Sequence, residues 1–143
     1  MAKVGTMSYL VPEEQQLESF LKLAGDSKPI ELCHLLKFKA VADYSDHPDE
    51  IPCSGKEAYH RYLDQAIEYI REHSGKLLYN GDISGLLIGP STESWDEVLL
   101  VSFPNIETVT EMMTSQKYQD IGHHRLAGLE DTRLFTLTAR AAN

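Results

Sequence analysis

The sequence predicts an α+β domain: a four-stranded antiparallel sheet carrying two crossover helices on one face, preceded by an extra N-terminal helix. Three observations lead there. Two stretches, Ile30–Phe38 (IELCHLLKF) and the run Val98–Phe103 (VLLVSF), are apolar enough for strands with no wet face. Capping signals follow each of them, Ser54-x-x-Glu57 in one case and Asn105 in the other, and open helices. Gly and Pro punctuation then sets the order strand, helix, strand, strand, helix, strand.

In chain order, residues 1–11 read as a tail, and Met7 offers a second start that would leave residues 1–6 outside the native protein. Pro12–Leu23 is the first helix. Pro12 suits the first helical position, Glu13 and Glu14 complement the positive end, and Gly25 can end it. Leu17, Phe20, Leu21 and Ala24 share one face, so this helix packs on something. In the strand Ile30–Phe38, the residues Ile30, Leu32, His34, Leu36 and Phe38 point one way, while Cys33 and Leu35 point the other. Residues 40–54 form the longest irregular stretch, and a loop of that length is commonly a lid or binding loop. Its Asp43, Asp46, His47, Asp49 and Glu50 match no calcium-loop spacing and read first as a solvated acidic loop.

The capping box at Ser54 opens the second helix, with Tyr59, Tyr62, Leu63, Ala66, Ile67 and Ile70 inward and Gly75 as its stop. Lys76–Ile88 is the next strand. Leu77, Tyr79 and Ile83 alternate there with Asn80, Asp82 and Ser84, and Gly81 and Gly85 suggest bulges. Trp95 stands at the start of the strand that follows. The last helix covers Ile106–Thr114, with Ser115 capping a short continuation that carries Tyr118 and Ile121 and that Gly122 breaks. Leu134, Phe135 and Leu137 make the last strand. The expected domain is thus 12–138, with 139–143 a second tail.

A chain of 143 residues is most simply one domain and needs no covalent or metal staple. Its formal charge of -9, with no basic cluster, argues against nucleic acid or an anionic membrane as the main partner. Cys33 and Cys53 form no metal or disulfide pattern. The first residues lack the layout of a secretory signal and no run reaches membrane-spanning length, so a cytoplasmic location is expected.

The element order is the split βαβ, or ferredoxin-like, arrangement, in which right-handed crossovers put both main helices on the same face. That creates one demand. The central strands are apolar on both faces, yet the crossover helices hide only one. Either a second copy packs sheet against sheet or the N-terminal helix folds across. A helix of a dozen residues is too narrow to cover a four-stranded sheet, so a two-fold homodimer is expected.

The segments HLLKF, SGKEAYHRY, LLIGP, WDEVLLVSFPN, SQKYQ and HHRLAGLEDTRL resemble a bacterial family of unknown function within the dimeric α/β-barrel superfamily. The resemblance runs from Ile30 to Leu137. It implies the fold and a barrel-forming dimer. The wider superfamily holds cofactor-independent monooxygenases, haem-degrading enzymes, dye-type peroxidases and lactone isomerases, with pockets between sheet and helices. Haem-degrading members use a histidine after the last helix, a polar group on the first strand and a tryptophan. His123 or His124, His34 and Trp95 answer to these by element only.

Two readings of function stand. One is a small-molecule enzyme of the oxygenase or isomerase type; the other is a non-catalytic ligand-binding or stress-associated dimer. Haem binding is a third and weaker one. Candidate catalytic residues are His34, Asp82 and Arg125; candidate substrate-binding residues are Tyr62, Asn80, Trp95, Tyr118 and His124. His34 is either a satisfied core histidine or a base held near neutrality by burial. Asp82 beside Asn80 is either a general base or a solvated edge residue. Arg125 is either buried in an ion pair with Glu130 or Asp131, or a clamp for a carboxylate. Trp95 reads first as a packing residue. His123 and His124, being adjacent, are expected to point apart, and neither metal nor cofactor is expected.

Overall fold

The computed structural model describes residues 8–23 and 28–140. It contains α1 (Glu14–Leu21), β1 (Ile30–Phe38), α2 (Gly55–Glu72), β2 (Lys76–Asp82), β3 (Glu97–Phe103), α3 (Ile106–Thr114), α4 (Gln116–Gly128) and β4 (Leu129–Leu137). The four strands form one antiparallel sheet in the order β2-β3-β1-β4, so the two most apolar strands are central. This is the ferredoxin-like α+β arrangement with an added N-terminal helix. Among the described residues, no helix is long and apolar enough to cross a membrane.

Burial along β3 alternates strictly, and that alternation defines the two faces. Glu97, Leu99, Val101 and Phe103, with Ile30, Leu32 and Leu36 of β1 and Leu129 of β4, turn toward the helices. Tyr59, Tyr62, Leu63, Ala66 and Ile70 of α2, Val109 and Met112 of α3, and Ile121 of α4 close over them. Cross-strand partners share a face. The pairs Cys33↔Leu100, Leu35↔Val98, Cys33↔Phe135, Glu31↔Leu137 and Tyr79↔Leu100 therefore line the side away from the helices. That side is apolar at its centre, and Phe135 is 52% exposed there.

Several boundaries differ from the sequence reading. The first helix starts at Glu14, not Pro12, because Glu13 is the N-cap and the Gln16 side chain accepts from its N–H at 3.1 Å. Phe20 packs on the core, whereas Leu17 and Leu21 stay exposed; Ala24 and Gly25 lie outside the described residues. Leu21 sits beside Ile106 and Thr110 of α3, so this helix lies against the helical layer and leaves the open sheet face uncovered. The α2 capping box forms as expected, Glu57 N–H donating to Ser54 Oγ at 3.1 Å. The left-handed residue after α2 is Ser74 (φ 63°) rather than Gly75.

The strand β2 stops at Asp82. Beyond it, Leu86, Leu87 and Ile88 belong to an exposed loop, because strand pairing with β3 ends where Asp82 meets Glu97. Gly122 does not break the last helix. It lies inside α4, where packing against α2 outweighs the ~1 kcal/mol that an interior glycine costs. The tight crossing that results needs Gly55 and Gly128: a Cβ on Gly128 would stand 2.8 Å from Tyr59 N and inside contact distance of Gly55 O.

Candidate functional site

Because α2 and α4 lie over β1 and β3, they bring polar groups from distant parts of the sequence into the layer between sheet and helices. His34 points into it from β1. Its Nδ1 lies 3.2 Å from the carbonyl of Leu99, and only an N–H can satisfy a carbonyl, so Nδ1 carries the proton. Burial pushes the imidazole down to about 4, a backbone hydrogen bond to Leu99 opposes this, and the Arg125 charge lowers it further. His34 is therefore neutral at neutral pH, with Nε2 as its acceptor.

Tyr62 and Tyr118 meet hydroxyl to hydroxyl at 2.7 Å, their rings edge to face at 5.9 Å between centroids. Burial, and then the neighbouring Tyr118, hold the Tyr62 phenol well above its ordinary range. Arg125 acts electrostatically on His34, Tyr59 and Tyr62 from α4. Of the two readings of Arg125, the ion pair with Glu130 or Asp131 is not made: Lys37 takes Glu130 at 3.8 Å and Arg133 takes Asp131 at 2.7 Å. These acids lie on β4, where the strand hands them to neighbours in the sheet. Among the described residues, no carboxylate lies within ion-pair distance of Arg125.

Two candidate residues fall elsewhere. Asp82 is bound by Lys56 at 2.9 Å at the surface, outside the buried layer that holds His34. Trp95 lies at the corner of the open face, its ring 5.1 Å from the guanidinium of Arg133, with Tyr9 stacked on the same group at 4.9 Å. It lies outside the helix-side layer because the chain reaches β3 only at Glu97. Asn80 does face the helices, and there it donates to Glu97 Oε2 at 3.0 Å.

Glu97 was missed by sequence reasoning. It is 2% exposed, and its other oxygen lies 2.9 Å from His60 Nε2. An acid opening an apolar strand, and a histidine between two inward tyrosines of a helix, were the available signals. Their pairing depends on tertiary contact alone.

A second cluster joins the 40–54 loop to α4. Asp43 N–H donates to Ala127 O at 2.9 Å and Lys39 N–H to Gly128 O at 2.9 Å, which ties the loop down. Glu50 Oε1 then lies 3.0 Å from His123 Nε2 and 3.9 Å from His124 Nε2. The hydrogen bond from His123 holds the Glu50 carboxyl below its usual value. Tyr44 Oη sits 2.7 Å from His124 Nδ1, and Arg61 donates to the same hydroxyl at 3.3 Å. The adjacent histidines thus converge instead of pointing apart, with ring centroids 4.0 Å apart. Loop contacts select rotamers that helix geometry alone would not.

A family model described as a domain of unknown function (DUF1330) matches residues 51–138. No curated protein of known role matches the sequence. A solved structure of a protein of unknown function from Rhodopseudomonas palustris superposes with a TM-score of 0.85 at 26% identity, covering 95% of this chain and 100% of that one. Hydroxynitrile lyase from Passiflora edulis shares the fold at a TM-score of 0.56 and 5% identity, over 82% of this chain and 98% of that one. A protein from Arabidopsis thaliana does so at 0.53 and 10%, over 80% and 98%.

Proposed function

The chain belongs to the DUF1330 family of domains of unknown function, and from that premise we propose that it is a homodimer that binds a small organic anion between sheet and helices. The observation that carries the ligand is Arg125. A guanidinium close enough to act on a half-buried histidine and two buried tyrosines, with no carboxylate of the described chain beside it, favours an incoming one. His34 Nε2 offers an acceptor, and the Tyr62–Tyr118 pair offers a hydroxyl proton to a carbonyl or carboxylate oxygen. A bound anion next to His34 raises its proton affinity, which turns a weak base into a usable one. This is the acid–base arrangement that a cofactor-independent oxygenase or isomerase needs, with His34 as the proton-handling group and Arg125 as the clamp.

The second copy is supported by the open sheet face. Strands of seven to nine residues in a four-stranded sheet span roughly 26 by 19 Å, or about 500 Å² in plan. Side-chain relief raises the accessible area toward the ~800 Å² that each partner gives a standard interface. The loop after β2 adds Leu87 and Ile88, which are 97% and 88% exposed, at the edge of the same sheet. An apolar centre of Cys33, Leu35, Val98, Leu100 and Phe135, rimmed by Glu31, Lys37 and Arg133, is the layout of an interface core with a polar rim.

The test is a thermal-shift and calorimetric panel of aromatic and aliphatic carboxylates, each paired with its amide. Carboxylates are expected to stabilise the protein, amides not, and Arg125→Met is expected to abolish the difference while the dimer persists. Equal responses to acid and amide, or none to either, would reject the anion site. Turnover lost in His34→Gln with binding retained would identify the enzyme; binding with no turnover of any ligand would leave the non-catalytic reading.

A further inference from the structure

We propose that Glu50, His123 and His124 form a binding site for a zinc-like divalent transition-metal ion, separate from the anion site above. The three side chains offer one donor atom each, all within 4.8 Å of one another. Ligands at 2.0–2.1 Å from a tetrahedral zinc stand about 3.4 Å apart. The separations of 3.0 Å and 3.9 Å from Glu50 Oε1 to the two Nε2 atoms bracket that value, and with all three donors within 4.8 Å, rotamer adjustments complete the set.

The ordinary alternative is a His–Glu hydrogen bond, and it accounts for His123 alone. His124 Nε2 stands 3.9 Å from the same oxygen, too far to share that hydrogen bond and near enough to share an ion. Tyr44 supplies an independent observation: its hydroxyl engages His124 Nδ1, and when that nitrogen carries the proton, Nε2 is left with a free lone pair facing Glu50. Metal-bound histidines are oriented in this way by a group on the other ring nitrogen. Arg61 and the backbone carbonyl of Ile51 fix Tyr44 in turn, since Arg61 Nη1 donates to both, at 3.3 Å and 3.0 Å. His47 stacks on His123 with centroids 4.3 Å apart and limits its rotation.

The same surroundings select the ion. One carboxylate and the neighbouring Arg61 charge suit neither calcium nor magnesium, which are held by several oxygen ligands. Two imidazoles and a carboxylate suit zinc, or iron in a two-histidine, one-carboxylate arrangement, with the remaining positions left to water.

The test uses the full chain without an affinity tag, stripped with a chelator and titrated with Zn²⁺ by calorimetry and with Co²⁺ by visible absorption. One equivalent per chain and a Co²⁺ d–d band are expected. Glu50→Gln should weaken binding at least tenfold, and His123→Ala/His124→Ala should remove the band, while His73→Ala, at the end of α2, keeps the stoichiometry. Circular dichroism identifies a variant that fails to fold, and Glu50→Gln, on a surface loop, then decides. No saturable binding at micromolar metal, or affinity unchanged in Glu50→Gln, would overturn the site. Carboxylate binding measured in chelator keeps the two sites distinguishable.

Discussion

Phe135→Asp should break the proposed homodimer. Phe135 pairs with Cys33 on the open sheet face and is 52% exposed. A buried phenylalanine hides about 200 Å², so covering the exposed half removes ~100 Å² from water, or ~2.5 kcal/mol per protomer at 25 cal/mol/Å². Two-fold symmetry applies the substitution twice, giving ~5 kcal/mol and a dissociation constant raised by between three and four decades. Sedimentation equilibrium over a wide micromolar range measures it. Leu126→Asp is the control, since Leu126 is comparably exposed but belongs to α4 in the helical layer. A monomeric parent protein, or equal weakening by the two substitutions, would refute the reasoning.

Three further outcomes follow from the interior. His34 has a folded-state value of about 4 against 6.5 unfolded, so the unfolded chain takes up its proton first as pH falls. Its contribution is complete above pH 6.5 and is lost on descending to about 4, by about 3 kcal/mol; urea unfolding of His34→Leu should lack that slope, and an unchanged slope would contradict the burial. His60→Ala leaves the buried Glu97 side chain with Asn80 alone and should cost about 1.5–3 kcal/mol, while Glu97→Gln in the wild-type background should cost less, since the amide keeps an oxygen for one of the two partners. No loss of stability in His60→Ala would count against the His60–Glu97 hydrogen bond. Gly128→Ala should cost about 1–3 kcal/mol in thermal unfolding, because the new methyl meets the backbone of Gly55 and Tyr59, which cannot turn aside; a neutral result would mean that the α2–α4 crossing relaxes freely.

The fold was legible in the sequence because its signals are local or periodic. The run Val98–Phe103, the Ser54 cap and the Asn105 cap each report on their own segment, and topology rules turn that order into the sheet. Ends were less legible where tertiary contact decides. Gly122 reads as a breaker until α2 is there to hold α4, and the apolar LLI of residues 86–88 reads as strand although no neighbour remains to pair with it.

The candidate site divides along the same line. His34 and Tyr62 declare themselves by falling on apolar faces of a strand and a helix. Glu97 with His60, and Glu50 with His123 and His124, come from elements far apart in the chain, and no spacing rule joins them. Trp95 and Asp82 were drawn toward the site by residue type, and their neighbours, Arg133 and Lys56, hold them elsewhere.

The most direct measurement is an NMR titration of the His34 ring, with and without a saturating aromatic carboxylate. The free protein should show a neutral ring, protonated on Nδ1, that titrates near 4; the carboxylate should raise that value, and Arg125→Met should abolish the rise. A ring that titrates at its ordinary value in the free protein, or that ignores the carboxylate, would contradict an anion site built around His34 and Arg125.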